Sequence, residues 1–541
     1  MASIGTVTLP LQTWGGDLGV EYYSSTAVVF FALFAALMIG IGILAGRYQT
    51  SEEEYFVAGR RSGILVVALA VFASIQSGWG MIGVTGTGYL VGVEYFVLIG
   101  GLIIFGFTAS YWLLGRKMRV LGDVRNAITA PDAMYYRFQD ERVRLLGATS
   151  VLLGCMGYLA AQYAALGIVG SLILPISFFE ALVVGLLVVG FYTVIGGMLA
   201  AIWSDAIQGA IMVVGGVLTA YYVITNSTLG WSGMTSAIQN GNPQYFEFTL
   251  LGGDGLMAIG LVISVIVIQA TVAGQPHAIT KFYMVRDVSV LKWGALITGA
   301  AYLATTLYWI AAPFLQAAVI EGTVADPGNP DATLPLALVE WAPDVVVAFV
   351  LTAVVAAIMS TSNAFLNMGA SAVVHDYFIE YRETDLTQAE EVRWGRITTG
   401  VLLVAAGVIA GTFPGLIFVL GAAGWAIFAA VIFPCIALAY NWRGATAEGA
   451  LAGGGSGLIL TVLLAYGVEY MGLSLPYGFL GGQLATIVAV AVFVGVSLVT
   501  STSEYAELDD DIKMVLDLGR ITGSADRPTE AIADGGTEAE E

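Results

Sequence analysis

The chain has 541 residues, 58% of them hydrophobic and only 11% charged, with a formal net charge of −20. A soluble domain of this length does not carry that composition, and without a basic patch to meet phosphates no nucleic-acid partner is expected. Apolar stretches of about 20 residues recur along almost the whole chain, so the fold class is an all-α polytopic membrane protein, not a barrel of short alternating strands.

In chain order, the first 25 residues lack a basic segment followed by an apolar core, so no cleavable signal peptide is expected. About thirteen transmembrane spans follow, near 25–46, 64–91, 94–115, 145–172, 178–197, 201–225, 255–273, 290–318, 343–373, 396–412, 415–440, 447–467 and 478–500. Residues 1–50 then hold an extra N-terminal span, 51–440 a core, and 441–500 two C-terminal spans. Residues 501–541 form an acidic tail, expected to be cytosolic and loosely structured. Cys155 and Cys435 fall in apolar runs and read as buried thiols, and His277 and His375 are too few for a His-rich metal centre. No metal motif, nucleophile elbow or phosphate loop is present, so an enzyme is not expected.

The basic residues orient this map. With the N-terminus outside, all 20 Lys and Arg fall in inner segments or the tail, while the long outer loops near 226–254 and 319–342 hold none. The expected location is the plasma membrane, with the C-terminus in the cytosol. No Lys or Arg falls near the middle of a span; Lys292 and Arg396 stand at span ends. A carboxylate within the membrane would therefore need helix N-termini or a bound cation.

Two spans carry helix-breaking residues near their middle. The first reads Ala73-Ser-Ile-Gln-Ser-Gly-Trp-Gly80 and the second Gln269-Ala-Thr-Val-Ala-Gly-Gln-Pro-His277. Freed backbone groups at that depth are tolerated only where protein buries them or a cavity receives them, and exposed carbonyls there suit a cation. The broken spans are the second and the seventh, an odd number of spans apart. Residues 64–225 and 255–440 therefore read as inverted five-helix repeats, with the broken helix first in each. Close packing of glycine-rich helices is the alternative explanation of both breaks.

The run Glu54-Tyr-Phe-Val-Ala-Gly-Arg60, followed by Phe72-Ala-Ser-Ile-Gln-Ser-Gly-Trp79, resembles the sodium:solute symporter family, and most of all its sodium/proline branch. Similar matches recur at Ala130-Pro-Asp132, Tyr192–Gly197, Trp203-Ser-Asp205, Gly274-Gln-Pro-His277, Met359-Ser-Thr361, Trp425 and Pro434. The resemblance covers roughly residues 50–445. It implies the leucine-transporter-like fold of inverted five-helix repeats and sodium as coupling ion, with no other cofactor and no obligate protein partner. The expected function is sodium-coupled import of a small organic solute by alternating access, the solute being an amino acid such as proline or a related carboxylate. A vitamin (pantothenate) or sugar symporter is the alternative. A channel or a transporter-like sensor is the rival class.

Ala357, Ser360 and Thr361 are related by i, i+3 and i+4 and share one face of the ninth span. Two hydroxyls and a carbonyl there suit sodium, and the resemblance adds the carbonyls of Ala73 and Gln76. Hydroxyls that merely bond back to the preceding turn are the other reading of Ser360 and Thr361. By resemblance Asp205 helps the ion leave inward; an ordinary interfacial acid is the alternative. The solute candidates are Gln76, Ser77, Gly78, Trp79, Gln269 and Pro276 from the breaks, with Tyr163 and Trp425 matching aromatic positions of the family. Packing alone would also explain Trp425. The chain departs from the proline-transporting pattern in carrying Ile75 where an acid is usual, and Ile268 and Val272 where aromatics are usual.

Overall fold

The computed structural model describes residues 22–48, 64–285, 288, 291–412, 417–467, 475–500 and 504–518. Helix α1 (Ser25–Tyr48) precedes α2 (Ile64–Ile75) and α3 (Trp79–Val91). Between Ala68–Ile75 and Trp79–Val91 the axis bends by 62°. Next come α4 (Val93–Arg125), the short α5 (Ala130–Phe138), α6 (Glu141–Ile173) and α7, one run of helical backbone from Phe178 to Asn226. The second half contains α8 (Gly230–Gly241), α9 (Ile259–Ala270), α10 (Pro276–Tyr283), α11 (Trp293–Ile320), α12 (Thr333–Trp341) and α13 (Asp344–Tyr381). It closes with α14 (Gln388–Thr412), α15 (Ile417–Leu438), α16 (Ala447–Ala465), α17 (Gly481–Thr500) and α18 (Asp510–Asp517).

Among the described residues ten helices are long and apolar enough to cross a membrane, or eleven when the bent α2–α3 pair counts as one span. Shorter apolar helices, Phe178–Phe191 and Ile259–Ala270, lie where the fifth and seventh spans are expected. Sequence polarity alone cannot say which apolar helix faces protein and which faces lipid. Burial does. The most apolar windows of α13 and α15 are 89% buried, against 22% for α1. The centre of the molecule is thus α13 and α15 packed around α6, with α7 alongside α13.

Polar residues fix the ends of these elements. Thr129 and Asp132 form a reciprocal capping box that starts α5, and Gln139, at φ 51°, ends it in the left-handed region. Gly92 joins α3 to α4 at φ 87°, where a Cβ would also meet the Tyr245 carbonyl oxygen at 2.5 Å, so only glycine fits. The buried Arg137 donates to the carbonyls of Ala439, Trp442 and Ala445, at 2.8, 3.1 and 3.2 Å, where α15 has run out of helical partners.

The tail is not loose throughout. Within the acidic run, α18 buries Ile512, Val515 and Leu516. Arg125 pairs with Asp509 and Asp511, and Arg443 pairs with Asp517 at 2.7 Å. Three apolar residues at i, i+3 and i+4 give even this acidic segment a face to bury.

Candidate ion and solute site

The broken α2–α3 segment has a definite hydrogen-bond account. In an unbroken helix the Gly78 N–H would serve the Ser74 carbonyl and the Gly80 N–H that of Gln76. Instead Gly78 N donates to Gln162 Oε1 at 2.9 Å, and Gly80 N to Ser77 Oγ at 3.3 Å. A Cβ on Gly78 would meet Ile358 Cγ1 at 2.7 Å and Ala165 Cβ at 2.8 Å, so the break depends on glycine there. The released carbonyls turn to α13. Ser360 Oγ donates to the Ala73 carbonyl at 2.8 Å and to that of Ala357 at 3.0 Å. Thr361 Oγ1 lies 3.2 Å from the Gln76 carbonyl and 3.5 Å from that of Ser74. Ala73, Gln76, Ala357, Ser360 and Thr361 are thus brought together, and all five are completely buried.

Beside this oxygen cluster lies an aromatic enclosure. Trp79 stacks on Phe418 and on Trp425, with centroids 5.5 and 6.0 Å apart, and its Nε1 donates to the Phe418 carbonyl at 2.9 Å. Tyr158 joins them: its ring stacks on Phe365 at 4.8 Å and its hydroxyl lies 3.0 Å from that of Ser77. His277, just past the second break, packs on Phe365 at 5.1 Å and on Trp425 at 5.9 Å. Both ring nitrogens of His277, Nε1 of Trp425 and the side-chain amide of Gln76 are buried with no hydrogen-bond partner among the described residues. Buried polar atoms are seldom left orphaned, and a group of them around aromatic faces marks a place for a polar ligand.

The second break runs from Ala270, where α9 stops, through a tight turn to Pro276 in the first turn of α10. Gly274 lets it approach α15, since a Cβ there would meet Phe433 at 2.5 Å. Gln269 is buried with its amide unpartnered among the described residues, and so is the Tyr163 hydroxyl. No hydrogen bond or ring contact joins either side chain to the enclosure; Tyr158 and Gln162, on the same helix as Tyr163, make the contacts to the break. Pro276 lines a small cavity together with Thr129, Thr280 and Asp376.

Asp205 is buried on α7, one turn before Gly209, which packs on Ala73. Its Oδ2 accepts from Lys281 Nζ at 2.9 Å, and its Oδ1 has no partner among the described residues. The sequence map placed Lys281 in an inner loop and expected no basic side chain within the core. That expectation is corrected: Lys281 sits in α10 with its side chain 2% exposed. A buried carboxylate recruits a counter-charge, and α10 supplies it five residues after Pro276.

On the other side of α3, the turn Pro330–Ala332 wedges against Gly86, whose Cβ would meet the Pro330 carbonyl oxygen at 2.4 Å. There Asp331 Oδ2 accepts from Ile417 N, at the start of α15, at 3.2 Å. Burial pushes the Asp331 carboxyl up to about 7.

Tyr158, Gln162, His277, Phe365 and Lys281 were not singled out from the sequence as contacts of this site. His277 alone had a local signal, as the last residue of the Gly-Gln-Pro-His break. The Glu54–Arg60 motif lies outside the described residues, as do the side chains of Tyr192 and of 195–197.

A profile described as the Sodium:solute symporter family matches residues 55–457. The chain is 29% identical over 446 residues to a sodium/proline symporter of Haemophilus influenzae, covering 79% of this chain and 86% of that one. It is 27% identical over 474 residues to a sodium/proline symporter of Escherichia coli, covering 86% and 93%. Among solved structures it resembles a Na+-coupled sialic acid symporter in a substrate-bound outward-open state, with a TM-score of 0.72, 17% identity, and coverage of 88% of this chain and 97% of that one. It also resembles a nucleobase-cation-symport-1 family transporter in a closed conformation, with a TM-score of 0.50, 13% identity, and coverage of 86% and 98%.

Proposed function

Because the chain belongs to the sodium:solute symporter family, and is therefore a sodium-coupled secondary transporter and not an enzyme, we propose that it imports a zwitterionic or neutral small organic solute, with one sodium ion held by the carbonyls of Ala73, Gln76 and Ala357 and the hydroxyls of Ser360 and Thr361. The observation that carries this reading is the convergence of these five buried residues where α2 breaks off. Sodium is a hard cation served by oxygen, and here none of the ligands is charged. Such a set binds firmly enough to load and weakly enough to release.

The solute is proposed to occupy the aromatic enclosure, touching Gln76, Ser77, Gly78, Trp79 and Trp425 from the sequence-derived set, and Tyr158 and His277 besides. Gln269, Pro276 and Tyr163 complete the proposed set, although no hydrogen bond or ring contact joins Gln269 or Tyr163 to these rings among the described residues. The rings supply apolar area, and the orphaned polar atoms of Gln76, His277 and Trp425 supply direction. A proline-like amino acid suits it, since Gln76, Trp79, Tyr158, His277, Phe365 and Trp425 bring no carboxylate, ammonium or guanidinium group that would need a matching formal charge. Ile268 and Val272, both buried and both non-aromatic, favour pantothenate or a sugar as the second reading.

The thirteen-span map, the outside N-terminus and the inverted leucine-transporter-like repeats complete the proposal. Support comes from the basic residues. Contacts made by Lys117, Arg125, Arg137, Arg144 and Arg443 gather at one end of the bundle, among the ends of α4, α5, α6, α13 and α15 and the helix α18. One sodium falling through about 100 mV supplies about 2.3 kcal/mol, and a tenfold sodium gradient adds about 1.4 kcal/mol, enough to hold a neutral solute at roughly a 500-fold gradient. Uptake into proteoliposomes of labelled amino acids, carboxylates, vitamins and sugars, with and without a sodium gradient, tests the reading. Accumulation driven by protons and indifferent to sodium would reject the ion site.

A further inference from the structure

At the end of the bundle that gathers the basic residues, α5 and the last turns of α13 enclose side chains for which the transport reading has no use. Asp132, His375 and Asp376 each present a potential ligand atom within 4.8 Å of the others. His375 Nε2 lies 3.2 and 3.4 Å from the two Asp132 oxygens. Neighbours hold both carboxylates in place. Asp132 Oδ2 accepts from the N–H groups of Ile128 and Thr129 at 3.1 and 3.2 Å, and Asp376 Oδ1 accepts from the Thr129 hydroxyl at 2.6 Å. That is the outer support that metal-binding carboxylates require. The opposite atoms are unsatisfied: among the described residues Asp376 Oδ2 and His375 Nδ1 have no partner, and Asp376 is 1% exposed.

Charge decides what fits. Two buried carboxylates, Asp132 on α5 and Asp376 on α13, share the neighbourhood of a single imidazole, His375, also on α13. The nearest other cation, Arg144, is 3.9 Å from Asp132, but it is bound to Glu380, lies 3.8 Å from Glu141 and stacks over the Tyr135 ring at 4.0 Å. Its charge is divided among three carboxylates, and among the described residues no Lys or Arg forms an ion pair with Asp376. Buried carboxylates in that condition call for a cation. A divalent ion beside a neutral imidazole balances Asp132 and Asp376 together. One nitrogen with two carboxylates suits Zn2+ or Mn2+, whereas Mg2+ and Ca2+ favour oxygen alone. The small cavity lined by Thr129, Pro276 and Asp376 borders the cluster at Asp376.

We propose that Asp132, His375 and Asp376 form a binding site for a divalent transition-metal ion of the Zn2+/Mn2+ class, which ties α5 to the end of α13. The proposal does not rest on the sodium or solute sites. The full chain, purified in detergent and stripped with a chelator, would be titrated calorimetrically with ZnCl2, MnCl2 and CdCl2 in separate runs, beside Asp376→Asn and His375→Cys. One tight ion per wild-type chain is expected. Affinity should fall at least about tenfold in Asp376→Asn. In His375→Cys a site should persist, with its preference moved towards the thiol-seeking Cd2+. Zn2+ should raise the melting temperature of the wild type and not that of Asp376→Asn. The Cd2+ preference of His375→Cys keeps the test valid where Asp376→Asn folds poorly. A wild-type isotherm with no tight ion, or one that all variants share because exposed acids take up the metal, overturns the site and leaves Asp132 and His375 as an ion pair. No readout involves uptake, so the result stands apart from the identity of the solute.

Discussion

The Ser360 hydroxyl and the Ala73 carbonyl, 287 positions apart in the chain, lie 2.8 Å from each other. One belongs to the buried, unbroken α13 and the other to the last turn before the break in α2. Any movement of the broken helix against α13 changes this distance first. An ion held between them therefore binds one relative position of the two helices better than another, which is the differential affinity that coupling requires.

Replacing both hydroxyls, Ser360→Ala with Thr361→Ala, removes two of the five proposed oxygen ligands. Apparent sodium affinity should fall at least about tenfold, which is about 1.4 kcal/mol, while the solute still binds at saturating sodium. Uptake measured across a sodium titration checks this. Unchanged sodium dependence would move the ion elsewhere.

Trp79 donates a hydrogen bond to the Phe418 carbonyl, and its proposed role is to offer surface to the solute and no ligand to the ion. Trp79→Ala should therefore weaken solute affinity by about 10-fold or more and leave sodium binding near wild type. Trp79→Phe, which keeps the ring stack, should fall between the two. An Ala variant with wild-type solute affinity would take Trp79 out of the site.

The Asp205–Lys281 pair is buried on both sides. Lys281→Met leaves a carboxylate unpaired inside the protein, at a cost of about 3–5 kcal/mol. Asp205→Asn with Lys281→Met should recover most of that stability. Thermal or denaturant unfolding of the single and double variants in detergent provides the cycle. Additive losses would mean that the two charges do not depend on each other.

Asp331 titrates at about 7 because it is buried, whereas an unfolded chain gives up that proton near 3.8. The native state thus holds a proton that the unfolded state loses. Stability from neutral Asp331 is fully present below about pH 4 and declines as pH rises towards 7, by about 1.4 kcal/mol per unit, then levels off. Asn at 331 can still accept from Ile417 N and has no charge to bury. The stability of Asp331→Asn relative to wild type should rise from pH 4 to 7 and then stay constant. A difference that does not vary with pH would show Asp331 to be hydrated in the native protein.

What the sequence revealed, it revealed by contrast. Ser74, Gln76 and Gly78 stand out because a span has no ordinary use for them, and Gly274 with Pro276 stands out for the same reason. Ser360 and Thr361 could be placed on one face by their spacing alone. Tyr158 and Phe365 lie in stretches where an aromatic residue is routine packing, and what separates them from lipid-facing rings is contact: Tyr158 meets Trp79 and Trp425, and Phe365 meets Tyr158 and His277. Lys281 followed a break and preceded a polar segment, so it read as a loop residue, although the helix that restarts at Pro276 carries it inward. Asp331 looked like any acid in a long loop. Its burial depends on the Pro330–Ala332 turn folding back against Gly86, a long-range event that local pattern does not encode.

Lys117 donates to the Tyr440 carbonyl at 2.6 Å and to the Leu516 carbonyl at 3.0 Å, the latter 399 residues further along the chain. A ribosome delivers these partners in order. When α4 is made, neither of these two carbonyls exists yet. The last acceptor arrives only when α18, beyond the final span, has been made. Among the described helices, the corner where α4, α15 and α18 meet is therefore finished last, and a ribosome that stalls after α17 would leave it without the Leu516 carbonyl.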